Sequence, residues 1–251
     1  VGRAVTTKLT ILGTSARFAT TARACSGYLL DVDGHKLWLD AGAGAWRNLL
    51  GHCDFADLEG VIVTHLHPDH ATDVFQLQHA LLFGPKGESP PIPLWAPGET
   101  IEALSAYREL TDGFAVNVVE AGGSITFAGA TIRFFAMAHP PETVGVRVES
   151  AGGVLAYSAD SGEDADFAAL AGGADVFLCE ASNQDSDEIW EGHLRASQAG
   201  RIAREAGAKR LLLTHLPVER DLGLSLAQAQ REAGGLPLEL AADGDVHEVG
   251  G

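Results

Sequence analysis

Apolar residues along this chain occur mostly in short runs that end at glycine, proline or acidic residues. Runs of this length and composition are typical of β-strands. They lie at 8–13, 27–32, 36–40, 61–64, 131–139, 144–150, 153–160, 175–180 and 210–215. Asp33-Gly34, between the second and third runs, predicts a two-residue hairpin turn.

A second pattern, with apolar residues three or four positions apart, predicts helices between these strands. Such segments lie at 44–50, 71–83, 99–110, 163–171, 196–208 and 224–234. The Gly/Pro-rich segment 84–93 predicts a loop, followed by a strand-like piece, "PLWAP". This order of elements predicts an α+β fold, an αββα sandwich of two mixed sheets between helices. No linker interrupts it, so we expect a single domain over residues 1–251.

The balance of charge restricts the class of partner. The chain has 34 acidic and 17 basic residues, a formal net charge of −17. Proteins that hold long nucleic acids by their phosphates normally carry the opposite balance. A long RNA or DNA is therefore disfavoured as a partner, whereas a small anionic substrate in a locally positive site is not.

Cysteine usage and hydropathy bear on the compartment. Cys25, Cys53 and Cys179 are odd in number and far apart, which favours buried thiols in a reducing compartment over a disulfide framework. The longest apolar runs are too short to span a bilayer, and the first residues lack the apolar core of a signal peptide. We therefore expect a cytoplasmic protein without a membrane partner.

Histidines concentrate in "VIVTHLHPDHATD", residues 61–73, directly behind an apolar strand. His65 and His67 are two positions apart, so on an extended strand end their side chains point the same way. The chain turns at Pro68, and the start of the next helix can bring Asp69 and His70 to a neighbouring point. Two such pairs suit two adjacent metal ions.

Three more residues of metal-binding type end predicted strands: His139, Asp160 and His215. Strand ends on one edge of a sheet converge, so these residues can join the histidine cluster. Asp160 has two carboxylate oxygens and is the natural bridge between two metals. Imidazole with carboxylate suits zinc best, and also manganese, iron or cobalt. Two adjacent divalent ions activate water for hydrolysis.

This residue set resembles the metallo-β-lactamase superfamily of metallohydrolases, over nearly the whole chain. The resemblance implies one metal on His65, His67 and His139, a second on Asp69, His70 and His215, and Asp160 shared between them. Asp40, in "WLDAGAG", matches an acid of the superfamily that precedes the histidine motif. Its implied role is to orient a ligand histidine through a hydrogen bond.

A further histidine resembles one in the ribonuclease Z and related phosphodiesterase branch. His193, in "EGHLRASQAG", occupies the place where that branch has a histidine that contacts the scissile phosphate and assists the leaving group. Arg195 stands where serine or threonine is usual, and it either clamps a phosphate or is solvated. Glu180 either orients His193 or lies at the rim of its strand. Both alternatives stay open at this point.

The substrate class depends on the segment between His139 and Asp160. Ribonuclease Z inserts a long tRNA-binding arm there, whereas only residues 140–159 lie between them here. The chain is in this respect similar to compact actinobacterial proteins, among which are cyclic-nucleotide phosphodiesterases. We therefore expect hydrolysis of a small phosphodiester such as a 3′,5′-cyclic nucleotide. A ribonuclease Z-type 3′-end endonuclease, a lactonase or other ester hydrolase, and a metal-binding module without activity remain alternatives. A homodimer is compatible with the resemblance.

Overall fold

The apolar runs form two mixed sheets of seven strands each in the computed structural model, which describes residues 6–84, 90–188 and 190–250. The strands are β1 (Thr7–Gly13), β2 (Gly27–Val32), β3 (His35–Ala41), β4 (Leu58–Ile62), β5 (Ile92–Ala96), β6 (Phe114–Val118), β7 (Ser124–Phe127), β8 (Ala130–Ala136), β9 (Val144–Ser150), β10 (Gly153–Tyr157), β11 (Val176–Glu180), β12 (Leu211–Thr214), β13 (Leu238–Leu240) and β14 (Val246–Glu248). The helices are α1 (Ala45–Leu49), α2 (Pro68–Ala71), α3 (Val74–Phe83), α4 (Gly98–Tyr107), α5 (Phe167–Ala171), α6 (Ala196–Glu205) and α7 (Leu222–Glu232), with a 3-10 turn at Phe55–Asp57.

Each sheet has an antiparallel half and a parallel half. The first runs β14-β1-β2-β3-β4-β5-β6 and is parallel from β3 to β6. The second runs β13-β12-β11-β10-β9-β8-β7 and is parallel from β13 to β10. The predicted αββα architecture of two mixed sheets is confirmed.

Strand β3 shows why the central strands are apolar at successive positions. Leu37 and Leu39 belong to the core between the two sheets, while Trp38 points to the opposite face and packs under the helices. All three are at most 1% exposed. Burial of side chains of this size stabilises the fold by about 1.5–3 kcal/mol each. The Asp33-Gly34 turn into this strand has both residues at positive φ, 53° and 99°, as predicted for the hairpin.

The predicted helix at 71–83 is wrong in one respect, because the chain forms two helices, α2 and α3, with a break at Thr72 and Asp73. The amide of Asp73 donates to the carbonyl of Ala41 in the first sheet, 2.7 Å away. The Asp73 carboxylate accepts from the amide of Trp46 at 2.9 Å. These contacts with residues distant in sequence direct the backbone out of a continuous helix.

The predicted strands that carry candidate ligands are too long at their C-terminal ends. β4 ends at Ile62, β8 at Ala136, β10 at Tyr157 and β12 at Thr214, so the ligand candidates lie on the loops just beyond them. Thr64, for example, gives its amide hydrogen to Asp40 instead of to a neighbouring strand. The loops still leave from the same edge of the sandwich, which brings the candidates together.

Candidate metal centre

All seven predicted ligands meet at the edge where these loops leave the two sheets. Two groups are close enough to hold a metal ion, with the possible ligand atoms in each group within 4.8 Å of one another. The first ligand cluster consists of His65, His67, His139 and Asp160, and the second of Asp69, His70 and His215. His193 forms a third such group with Asp160 and His215.

Asp160 lies between the two clusters and faces each with a different oxygen. Its Oδ2 is 3.6 Å from Nε2 of His65 and 3.9 Å from Nε2 of His139. Its Oδ1 is 3.2 Å from Nε2 of His70 and 3.4 Å from Nδ1 of His215. Each of the two clusters therefore faces one carboxylate oxygen of Asp160, which is the arrangement that a bridging ligand requires.

The first ligand cluster brings imidazole nitrogens together at distances suited to a common cation. Nδ1 of His67 is 3.2 Å from Nε2 of His65 and 3.1 Å from Nε2 of His139. Burial lowers the pKa of His65 well below its ordinary value, and burial likewise lowers the pKa of His139. Neutral imidazoles of this kind offer lone pairs to a metal.

His70 gives the clearest test of whether a cation fits. Its Nε2 and the facing Oδ1 of Asp160 are both buried without a hydrogen-bond partner among the described residues. Burial opposes protonation of His70, but the carboxylates of Asp160 and Asp40 outweigh it and raise its pKa well above the ordinary value. A divalent cation between these two atoms would replace the proton, so the donor set fits a metal.

Most of the ligand histidines are held from outside through their other ring nitrogen. His65 Nδ1 lies 3.1 Å from Thr64 Oγ1, His139 Nδ1 donates to the carbonyl of Gly192 at 2.7 Å, and His70 Nδ1 donates to Asp40. Such partners select the tautomer and orient the ring toward a metal. This pattern is characteristic of built metal sites.

Asp40 is the hub of one of these outer networks. Its Oδ2 accepts from His70 Nδ1, Thr64 Oγ1 and the Tyr157 hydroxyl at 2.8, 2.9 and 2.8 Å. Its Oδ1 accepts from the amide of Thr64 at 2.8 Å. Asp40 itself has a positive φ of 56°, which a non-glycine residue adopts only at a cost. It lies where the sequence places it, in contact with a ligand histidine.

Glu180 is the hub of a second network and is completely buried, not at the rim. Its Oε1 accepts from His193 Nδ1 at 2.7 Å and from the amide of Ser161 at 2.8 Å. Its Oε2 accepts from the hydroxyl of Ser182 at 2.7 Å, and that hydroxyl lies 2.7 Å from Nδ1 of His215. One carboxylate thus orients His193 directly and His215 through Ser182.

His193 stands beside both clusters. Its ring centroid is 5.0 Å from that of His139 and 5.4 Å from that of His215. Burial disfavours the charged ring, but the Glu180 carboxylate outweighs this effect and raises the pKa of His193 to about 9. The Glu180 carboxylate thus favours the protonated form of His193.

Arg195 is the N-cap residue directly before α6, and its guanidinium donates to the carbonyl of Asp187 at 2.9 Å. With His193 it lines a cavity of about 260 Å³. The side chain is thus neither free in solvent nor directed at the ligand clusters, although it borders the space next to His193.

Two residues at the centre carry no prediction from the sequence. Ser182 is the link between Glu180 and His215, and it follows the predicted strand end by two positions. Trp190 places its ring centroid 4.8 Å from that of His193 and 5.4 Å from that of His139. The sequence signal that could have pointed to Trp190 is its position in "WEGH", three residues before His193.

None of the helices in the described ranges has the length and apolar character needed to cross a membrane.

Comparison with known proteins agrees with this geometry. The family model of the beta-lactamase superfamily domain matches residues 35–216. The chain is similar to the probable metallo-hydrolase YhfI of Bacillus subtilis, with 32% identity over 84% of this chain and 87% of that protein. A crystal structure of YhfI superposes with a TM-score of 0.89 over 97% of this chain and 99% of that one, at 28% identity. Ribonuclease Z of Myxococcus xanthus is 27% identical over 96% of this chain and 97% of its own length.

Proposed function

Because the chain belongs to the beta-lactamase superfamily and is a metal-dependent hydrolase, we propose that its centre cleaves a small phosphodiester, such as a 3′,5′-cyclic nucleotide. The proposed cofactors are two divalent ions, zinc in the first place, held by the two ligand clusters. When bound, such a pair supplies an activated water and stabilises negative charge on the phosphoryl oxygens. The three free cysteines agree with a cytoplasmic enzyme.

The observation that carries the proposal is the pair formed by His193 and the buried Glu180 beside the ligand clusters. His193 is 4.0 Å from Asp160 Oδ2 and is held by Glu180 at 2.7 Å. Cleavage of a phosphodiester with an alkoxide leaving group is assisted by a proton at the departing oxygen. A protonated, oriented imidazole beside the ligand clusters is placed to supply that proton.

Two observations support a small substrate over an RNA. The segment between His139 and Asp160 is occupied by β9 and β10, two antiparallel strands within the second sheet. It therefore carries no projecting arm. The net charge of −17 also opposes binding to a long phosphate backbone. A ribonuclease Z-type endonuclease is accordingly the second candidate, favoured by the similarity to the Myxococcus xanthus enzyme.

The test uses the purified chain with zinc or manganese on a panel of substrates. The panel contains 3′,5′-cyclic mononucleotides, cyclic dinucleotides, bis(p-nitrophenyl) phosphate, precursor tRNA and a lactone. We expect cyclic AMP to be opened to a 5′-monophosphate, with activity lost on chelation and in Asp160→Ala. Hydrolysis of the lactone alone, or stoichiometric metal without any turnover, would overturn the proposal.

His193→Ala separates phosphodiester chemistry from other hydrolysis on the same scaffold. We expect this variant to lose activity on cyclic nucleotides, whose leaving group is an alkoxide, and to retain it on any lactone that the wild type accepts. Cleavage of precursor tRNA with no turnover of small diesters would favour the endonuclease instead.

A further inference from the structure

A cavity of about 590 Å³ opens beside the second ligand cluster. Arg17, Phe18 and residues 217–220 form one wall, and the other is formed by Ser182, Asn183, Asp187, Glu188 and Trp190. This volume lies within the range of about 300–1,000 Å³ that is typical of small-molecule pockets. Nothing in the chemistry described above uses most of these residues.

The walls of the cavity touch the metal ligands directly. The amide of Arg17 donates to Asp69 Oδ2 at 2.6 Å, and Arg17 adopts a positive φ of 69° to do so. On the opposite side, Ser182 contacts His215. On each side, one residue of the cavity wall therefore contacts a residue of the second ligand cluster.

Two large aromatic side chains face this space while remaining half exposed. Trp190 is 50% exposed and Phe18 is 51% exposed. The Trp190 ring is fixed on its other side by His139 and His193, and it lies so close to Gly192 that a Cβ there would come within 2.7 Å of the ring. An exposed aromatic surface of this kind is a stacking platform for a base.

Asn183 supplies hydrogen-bonding groups at the same wall. The residue is only 8% exposed, and it lines both this cavity and the smaller one next to His193. Its side-chain amide forms no hydrogen bond with the described part of the chain, although its backbone is paired. The amide is therefore free to offer one acceptor and two donor hydrogens to the edge of a base.

The charges of the cavity suit a substrate with a single negative charge. The Arg17 guanidinium forms no ion pair with the described residues, while Arg220 is paired with Asp187 at 2.6 Å. Glu188 and Glu219 also line the space. The unpaired guanidinium of Arg17 can contact one charged phosphodiester, whereas the carboxylates of Glu188 and Glu219 disfavour a substrate with additional phosphates.

We propose that this cavity is the nucleoside subsite, which makes the substrate a mononucleotide phosphodiester with one charge. The base stacks on Trp190 and Phe18, Asn183 contacts its edge, and Arg17 contacts the phosphate. The inference rests on the proposed phosphodiesterase function, since the cavity borders the same centre.

The kinetic test compares Phe18→Leu and Trp190→Leu with Phe83→Leu, an exposed phenylalanine on α3 away from the cavity. The substrates are cyclic AMP and methyl riboside 3′,5′-cyclic phosphate, which lacks the base. We expect KM for cyclic AMP to rise about tenfold in each cavity variant, as the loss of a base stack implies. KM for the base-free compound should change less than twofold, and Phe83→Leu should behave as the wild type.

A binding test gives a readout that does not depend on activity. Titration of the metal-free protein with cyclic AMP, which this form does not turn over, should quench tryptophan fluorescence in the wild type and in Trp46→Phe, and much less in Trp190→Phe. Arg17→Gln should weaken this binding, whereas Arg133→Gln, on β8, should not. Equal KM changes for both substrates, or unchanged quenching in Trp190→Phe, would overturn the subsite while leaving the phosphodiesterase proposal intact. Absence of any phosphodiester turnover in the wild type would instead overturn the function itself.

Discussion

His193 Nδ1 lies 2.7 Å from Oε1 of Glu180, and the carboxylate is completely buried. An isolated buried carboxylate is costly, but the amides of Ser161 and Ser182 and the Ser182 hydroxyl also donate to it. The pair therefore holds one imidazole with Nδ1 engaged and Nε2 available to a reacting group. This arrangement leads to two predictions about proton transfer.

The first prediction concerns the leaving group. In His193→Ala, turnover of cyclic AMP should fall by about 10²–10⁴-fold, because the alkoxide then departs without a proton. Turnover of bis(p-nitrophenyl) phosphate should fall far less, since p-nitrophenolate is a stable leaving group. Steady-state rates on both substrates measure the difference. Equal losses on the two would mean that His193 acts in binding and not as an acid.

The second prediction concerns pH. Glu180 contributes to raising the pKa of His193 to about 9, so the acid form is present below this pH and is lost above it. Activity on cyclic AMP should therefore decline as pH rises through about 9. In Glu180→Gln the pKa of His193 falls, and the decline should begin at a lower pH. The pH profile of kcat checks this, with His193→Ala as the control that lacks the decline.

The residues of the two candidate ligand clusters could be picked out from the sequence because their signals are local. H-x-H-x-D-H needs only its own spacing, and His139, Asp160 and His215 each follow a recognisable apolar run. The two-sheet architecture follows from the same runs. These signals lie in short stretches of neighbouring residues, so they can be recognised in a single sequence.

Features that depend on distant contacts could not be predicted. Asp73 leaves the helix because its amide bonds to Ala41. Trp190 and Ser182 lie on a loop whose course depends on contacts with His193 and His215. For the same reason, the sequence could not decide between a buried Glu180 that orients His193 and a Glu180 at the rim of its strand. Burial at a strand end depends on which other elements of the fold cover it.

The third prediction concerns protons released on metal binding. The carboxylates of Asp160 and Asp40 raise the pKa of His70 well above its ordinary value against the effect of burial. The proton on His70 must therefore leave when a cation takes its place, and affinity should fall as pH is lowered. Calorimetric titration with zinc at pH 7 in buffers of different ionisation enthalpy should show proton release. Binding with no released proton would contradict this account.

The fourth prediction concerns Asp40. Both carboxylate oxygens of Asp40 accept hydrogen bonds from N–H or O–H groups. In Asp40→Asn one of these oxygens is replaced by an NH₂ group, which faces another donor in either orientation of the amide. We expect metal affinity to fall about 10–100-fold, which is typical when the outer partner of a ligand histidine is lost. Competition with a chromophoric chelator measures it. Asp175→Asn, which changes a carboxylate paired with Lys209 away from the centre, should leave metal affinity unchanged.

The last prediction concerns a glycine that allows the histidine motif to approach the first sheet. A Cβ added at Gly42 would lie 2.0 Å from the carbonyl oxygen of Asp69 and 2.8 Å from Cβ of Cys25. The Asp69 carbonyl belongs to the backbone, which cannot move aside as a flexible side chain can. Gly42→Ala must therefore displace α2 and with it Asp69 and His70. We expect lower metal content and lower activity in a folded protein, measured by elemental analysis and circular dichroism. Gly98→Ala is the matched control, because its Cβ would meet only Val118 at 3.7 Å. Full metal content in Gly42→Ala would show that the close approach of residues 42 and 69 is not needed to build the second ligand cluster.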